Sequence, residues 1–370
     1  MRYFFSTGEP SGELVAVTLA KELLRIDPDA QFEGIGAQRM RDANFSVPID
    51  HTGWASMGPL AAIPRIPKLL TTMWSLAKRL AQSPPDLLVL VDFGAFNMRL
   101  AAQLREKYHY AGPILYVFPP GAWLDRPKQA KLVAELTTPC PGYLHQANFY
   151  ARLGLPVLFH GHPLSGSYEL RAERATPPAD AGVVALLPGS RRAEIRAHLP
   201  RLLGAVRRLR MNRPKLHAIV GAANEQARRD IEVAIARSGL QEMTIVDGGR
   251  AALEKADAAW VASGTAVLEA SLLGVPSVSL YVLSRLLVRH ARRVYSGRFI
   301  ALPNLILERE VVKELLQDDA TPQALAAEME SVLRSPSKTR QDMQELHGKL
   351  GKENSAAHIA AEAFRLAKGA

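Results

Sequence analysis

An apolar run from Val183 to Leu187 stops at Pro188-Gly189-Ser190-Arg191 and gives way to a helical pattern, with Ile195, Leu199, Leu202, Leu203, Val206 and Leu209 on one face. Strand, tight turn and helix N-terminus therefore meet at Gly189, Ser190 and Arg191. An unbroken apolar strand must be covered on both faces, which points to a parallel sheet between layers of helices. The junction also suits an anion, a diphosphate above all. A helix start offers unpaired N–H groups and partial positive charge, and Arg191 adds a planar fork of donors. An ordinary β–α turn with a surface arginine would read the same way.

The alternation recurs along the chain. Tyr3–Thr7, Phe32–Gly36, Leu87–Val91, Ile114–Phe118 and Val157–His160 read as strands, with helices at Glu13–Arg25 and around 96–108 and 143–152. After Gly166 to Ala181, an exposed stretch with Pro177, Pro178 and Asp180, it starts again. Val183–Leu187, Leu216–Val220, Met243–Val246, Ala258–Ala262 and Val275–Tyr281 are then the strands, and the chain from Glu308 reads as all helix. The expected fold is α/β: two doubly wound, Rossmann-like domains facing across a cleft, with a helical tail. The expected boundaries are 1–165, a linker at 166–181, a second domain at 182–335 and a tail at 336–370.

Composition narrows the partners. A formal charge of +10 favours an acidic one: nucleic acid, an anionic membrane or a phosphorylated substrate. Nucleic acid ranks last, because no helix-turn-helix, RNA-binding strand motif or zinc pattern is present and aromatics are only 6%. No apolar run reaches membrane-spanning length, and the first residues run into a loop motif with no room for a secretory signal. Cys140 is the single cysteine, so an internal disulfide is excluded and a reducing cytoplasm is expected. The ten histidines show no metal spacing; His160-Gly161-His162 lacks a third ligand, and His162 reads as a hydrogen-bonding residue near the cleft.

Four further places carry polar residues at strand ends. Gly8-Glu9-Pro10-Ser11-Gly12 opens the first helix, where Ser11 is a candidate cap and Glu9 either a salt-bridge partner or a ligand for substrate hydroxyls. Asp92 ends the most apolar strand and precedes Phe93-Gly94-Ala95-Phe96-Asn97. Partial burial there would raise its pKa and sharpen it as a general base, unless it serves the loop that follows. Ser263, Gly264 and Thr265 offer donors to phosphate, and Glu269, one turn on, suits ribose hydroxyls; a well-capped helix is the plainer alternative. Asn304 follows Pro303 in Leu302-Pro303-Asn304-Leu305. Two stretches are both apolar and basic. The first, 57–80, includes Leu60, Ile63, Arg65, Ile66, Lys68 and Leu69; the second, 283–298, carries Arg285, Arg289, Arg292 and Arg293. Each suits either an anionic lipid surface or a helix docked on a sheet, and the net charge favours lipid.

Taken in order, these motifs resemble the lipid-A-disaccharide synthase family, inverting glycosyltransferases of the GT-B architecture. The resemblance runs through Gly8-Glu9-x-Ser11-Gly12, Met57-Gly58, Asp92 with Phe96-Asn97, Gly161-His162, Leu187 to Arg191 with Glu194, Ser263 to Ala266 with Leu268-Glu269, Leu302 to Leu305, and Glu314 to Gln317. It implies transfer of 2,3-diacylglucosamine from UDP-diacylglucosamine to the 6-hydroxyl of diacylglucosamine 1-phosphate, by a single inverting displacement that releases UDP. It implies no cofactor and no metal, attachment to an anionic membrane surface at the cytoplasmic face of the inner membrane, and room for a homodimer. By matching position, Asp92 is the base and Glu9 the acidic residue of the first loop. Gly189, Ser190, Arg191, Glu194, Ser263, Gly264, Thr265, Glu269 and Asn304 hold UDP. Ser11, Gly12, Asn97 and His162 fall on the acceptor side. This chain departs from the family in its first half: Ala95 stands where a second carboxylate is usual, Phe118-Pro119-Pro120-Gly121-Ala122-Trp123 replaces a serine- and tryptophan-rich run, Leu144-His145-Gln146 replaces Pro-Phe-Glu, and Glu13 replaces Asp. A related UDP-sugar transferase or an epimerase with another acceptor is the alternative. A non-catalytic membrane-surface protein is a third reading, which the retained Asp92 opposes.

Overall fold

The computed structural model describes every residue except 53, 55–65, 121–125, 169, 171, 173–174, 284–287, 289–298, 336, 351–353 and 370. The chain forms two units, Met1–Ser167 with Leu350–Ala370, and Tyr168–Lys349.

In the first unit, β1 (Arg2–Ser6), β2 (Gln31–Gly36), β3 (Ser46–Asp50), β4 (Leu87–Val91), β5 (Ile114–Val117) and β6 (Thr138–Cys140) build a parallel sheet ordered β3-β2-β1-β4-β5-β6. Between them run α1 (Pro10–Ile26), α2 (Gln38–Asp42), α3 (Ile66–Gln82), α4 (Gly94–Ala102) and α5 (Pro127–Leu136), and α6 (Leu144–Arg152) follows β6. Every residue of β4 is buried, as its unbroken Leu-Leu-Val-Leu-Val run requires of a strand covered on both faces. Met73, Leu76, Ala77 and Leu80, spaced for one face of α3, pack against Phe4, Leu88 and Leu90 of the sheet.

The second unit repeats the plan. β7 (Ala181–Leu187), β8 (Lys215–Ala222), β9 (Met243–Asp247), β10 (Ala258–Ala262), β11 (Ser277–Tyr281) and β12 (Lys313–Leu316) are ordered β12-β11-β10-β7-β8-β9. Its helices are α7 (Arg192–Asn212), α8 (Glu225–Ser238), α9 (Gly249–Leu253), α10 (Thr265–Leu272), α11 (Leu302–Leu307), α12 (Pro322–Arg334) and α13 (Ser337–Lys349). The core joins Ile195, Leu199, Leu202 and Val206 of α7 to Val184, Leu186, Val220 and Trp260 of the sheet. The last helix, α14 (Ser355–Ala367), returns to the first unit and packs on α1.

Several expectations change. The residues 157–160 form no strand; a single bond ties Leu158 N–H to the Pro139 carbonyl, and the edge place in the sheet belongs to Thr138–Cys140. That strand is three residues long and contains a proline, too short to show a period. The chain after Glu308 is not all helix, because Lys313–Leu316 pairs with β11 as an edge strand. The expected tail at 336–370 is divided between the two units. Ser11 is no cap: Glu9 takes the N-cap position of α1, Pro10 follows it, and Ser11 lies inside the first turn.

Candidate functional site

In each sheet, successive strands run outward in one direction and then resume on the other side of the first strand. The reversal falls between β1 and β4 in the first unit and between β7 and β10 in the second. Ligands of such sheets bind at this switch point, outside the carboxyl ends of the strands. The register aligns the relevant ends: Ser6 lies beside Leu90, and Leu187 beside Val261. The turn after β1 is thus neighbour to the turn after β4, and the turn after β7 to the turn after β10.

In the first unit these neighbouring turns carry Glu9 and Asp92. A Cβ on Gly8 would lie 2.3 Å from the Phe93 ring, so only glycine lets the loops close on each other. Gly12 is also close to its surroundings, though less so: a Cβ there would lie 3.2 Å from Thr7. Asp92 and Phe93 both adopt left-handed backbone, with φ of 47° and 51°. Such a conformation is costly for residues with side chains and persists only where the surroundings enforce it. The enforcement is visible. Asp92 N–H donates to the Val117 carbonyl at 2.9 Å, and the Asp92 carbonyl accepts from Asn97 Nδ2 at 2.8 Å and from Tyr116 Oη at 2.9 Å. The turn leaves Asp92 exposed, so the partial burial expected to tune it is absent. Beside it, Phe93 and Phe96 stack at 5.3 Å, and Trp54 lies 5.9 and 5.4 Å from their ring centres.

Two residues expected to face the acceptor serve the scaffold instead. Asn97 is fully buried; its Oδ1 accepts from Ser6 Oγ at 2.6 Å while its amide holds Asp92. His162 is 2% exposed, accepts at Nδ1 from Leu164 N–H, and packs between Phe118 and Tyr143. Burial pushes its pKa down to about 3. Glu13, set aside in the sequence as a mere departure, is buried and accepts from the Ala37 and Met40 amides, with His51 Nε2 at 3.3 Å. Burial raises its pKa, but His51 and those amides outweigh the effect and hold it below the usual carboxylate range.

In the second unit, Gly189 takes a φ of 113° and Gly264 a φ of 148°, turning β7 into α7 and β10 into α10. Arg191 is the N-cap of α7 and a third exposed at its side chain. Glu194 closes this turn, accepting from the Arg191 N–H and pairing with its guanidinium at 3.2 Å. In this arrangement it braces Arg191. Ser263 Oγ is buried without a hydrogen-bond partner, an orphan donor at the mouth of β10. Gly264 is exposed, Thr265 opens α10 half-buried, and Glu269 lies within electrostatic reach of Arg250.

Asn304 corrects the sequence reading. It is fully buried, donating to the Val312 carbonyl and Glu314 Oε1 at 2.7 Å each and accepting from the Val311 and Val312 amides at 2.8 Å each. Its amide is used up in fixing α11 to β12, with nothing left for a nucleotide. Reasoning from sequence also passed over His198, which is fully buried and bonded at both ring nitrogens, to the Pro188 carbonyl and the Val282 amide. The available signal was a histidine set on the apolar face of α7 among Ile195, Leu199 and Leu202. Leu60, Ile63 and Arg65, with Met57 and Gly58, lie outside the described residues, as does the side chain of Ile66; Lys68 is exposed and Leu69 half-buried. Among the described residues, no helix is long and apolar enough to cross a membrane, and no three His, Cys, Asp or Glu side chains gather as a metal site.

The model of the family described as LpxB, lipid-A-disaccharide synthetase, matches residues 3–365. The lipid-A-disaccharide synthase of Geobacter sulfurreducens is 33% identical over 369 residues, covering 97% of this chain and 95% of the relative. That of Pseudomonas aeruginosa is 33% identical over 371 residues, covering 96% of each. Among solved structures, a UDP complex of S. aureus MnaA aligns with a TM-score of 0.65 at 12% identity, over 97% of this chain and 94% of that one. Acinetobacter baumannii MurG aligns at 0.60 and 17% identity, over 98% and 99%. At such identities the structural likeness speaks for the fold alone.

Proposed function

The chain belongs to the lipid-A-disaccharide synthetase family, whose members are glycosyltransferases that form a disaccharide, and from that premise we propose the donor, the acceptor and the residues that carry the transfer. The donor is UDP-2,3-diacylglucosamine and the acceptor the 6-hydroxyl of 2,3-diacylglucosamine 1-phosphate. Asp92 removes the hydroxyl proton, and the oxygen attacks the anomeric carbon from the face opposite UDP. The carbon–oxygen bond to the diphosphate breaks as the new bond forms, so the linkage inverts and UDP departs. Arg191, braced by Glu194, and the amides of the turns at Gly189 and Gly264 meet the charge growing on the diphosphate. Ser263 Oγ is a further donor there.

The observation that carries this reading is the pair of switch points. At one, a strained turn holds an exposed carboxylate; at the other, two glycine turns and an arginine present donors to an anion. Because a fixed protein cation stands at the leaving group, we expect turnover without added metal and in the presence of a chelator. Both substrates carry acyl chains, and α3 supports contact with an anionic membrane at the cytoplasmic face: Trp74 is 48% exposed, and Lys68 and Lys78 are exposed on the same helix.

The test is Asp92→Asn in detergent with both lipid substrates. Disaccharide formation is expected to fall by at least about a thousandfold, while UDP affinity stays within about twofold. Wild-type turnover by this variant would remove Asp92 from the mechanism.

A further inference from the structure

Three elements of the second unit meet at the imidazole of His198. The ring sits on α7, fully buried. Its Nδ1 lies 2.8 Å from the Pro188 carbonyl, in the turn after β7. Its Nε2 lies 3.0 Å from the amide of Val282, the residue after β11. A carbonyl can only accept and an amide can only donate. One arrangement satisfies both: a proton on Nδ1 and a lone pair on Nε2.

The consequence reaches the anion-facing edge. The described peptide bonds are all trans, so the Pro188 carbonyl and the Gly189 N–H point in opposite directions. His198 draws the carbonyl towards itself and thereby turns the Gly189 N–H away from the ring. The sheet order also places β10 between β7 and β11. A residue bonded beyond the ends of both flanking strands therefore brackets the turn of Ser263, Gly264 and Thr265. Taking the Pro188–Arg191 turn as the diphosphate holder, as above, we propose that His198 is a positioning residue for UDP, setting the direction of the Gly189 amide and the spacing of the strands on either side of Gly264.

A histidine that merely filled the core would be replaceable by leucine, like its neighbours Leu199 and Leu202. His198 differs because its role depends on protonation. A second proton would set Nε2–H against the Val282 N–H, donor against donor, and break the tie to β11. Burial opposes that proton most strongly and lowers the pKa; of the charged neighbours on α7, Glu194 favours the proton and Arg201 opposes it. On β11, the Tyr281 ring lies 5.9 Å away.

The experiment is calorimetric titration of UDP into the full chain, its His198→Leu variant and its His198→Asn variant, from about pH 8 down to about pH 4, below the ordinary histidine range because burial lowers the His198 pKa. His198→Leu is expected to weaken UDP at least about tenfold at neutral pH, with kcat at saturating donor changed much less. His198→Asn, whose amide still reaches the Pro188 carbonyl, should recover part of that loss. The advantage of the native chain over His198→Asn should shrink as acid protonates the imidazole. The proposal is overturned if folded His198→Leu binds UDP within about twofold of the native chain. Should that variant not fold, His198→Asn decides: native affinity with an unchanged pH profile overturns it equally. A native chain that binds no UDP overturns the donor assignment itself, whereas native binding with indifferent variants overturns only the role of His198.

Discussion

At the scale of single residues, the turn after β4 sets two strained residues side by side. Asp92 and Phe93 are consecutive non-glycine residues in left-handed backbone, each of a kind that costs on the order of 1–3 kcal/mol. Two side chains hold the Asp92 carbonyl, Asn97 and Tyr116. The Tyr116 phenol is buried and its pKa stands well above the ordinary value, first through burial and then through the nearby Asp92 charge, so it acts as a fixed donor. Tyr116→Phe removes that donor and keeps the ring. The lost bond is worth roughly 1 kcal/mol. If the turn is what aims the base, kcat should fall about fivefold with UDP affinity unchanged, measured by steady-state transfer beside UDP titration. An unaltered kcat would show that Asn97 alone suffices.

At the scale of elements, buried polar groups tie the turns of each unit together, and they make stability depend on pH. His162 lies among Phe118, Tyr143 and the chain after Gly161, and its folded pKa of about 3 is far below that of an unfolded histidine, about 6.5. Between these values the unfolded chain binds a proton that the native one refuses. Stability of the first unit therefore falls as pH drops from about 6.5 towards about 3, by roughly 5 kcal/mol at most. Glu13 acts in the same direction lower in the range. Its folded pKa is depressed, so its contribution is present above the unfolded carboxylate pKa and lost as pH falls through the folded one. Urea unfolding from neutral pH to about pH 4 should show this slope, and His162→Asn should flatten it. A slope untouched by that substitution would place the acid sensitivity elsewhere.

At the scale of the whole molecule, the chain does not finish where its second unit does. The helix α14 buries Ala356, Ile359, Ala360 and Ala363 in the first unit. Polar ties reinforce it: Ser165 Oγ donates to Ser355 Oγ at 3.1 Å, and His162 N–H to the Leu350 carbonyl at 2.9 Å. The burial contributes roughly 4 kcal/mol. Ending the chain after Lys349 should therefore lower the melting of the first unit and leave that of the second unchanged. Two calorimetric transitions, only one of them shifted, are the expected record; equal shifts would mean that the helix supports both units.

The sequence by itself determined the central elements of both units and the chemical character of their junctions, though not the short edge strands. Continuous apolar runs such as Leu87–Val91 and Val183–Leu187 admit little besides buried parallel strands, and Gly8, Gly189 and Gly264 mark turns whose backbone excludes a side chain or favours its absence. These are local constraints, written in neighbouring residues. Strand order, and with it which turns stand side by side, came only with tertiary structure, because pairing between distant segments leaves no local period. Tertiary structure also decided how polar residues are spent. Asn97, His162 and Asn304 look like ligands in the sequence, yet their hydrogen-bonding groups serve the scaffold, while Asp92 and Arg191 keep side chains within reach of solvent. A buried polar group must find partners or pay for desolvation, and whether those partners are protein or substrate depends on atoms brought together from far along the chain.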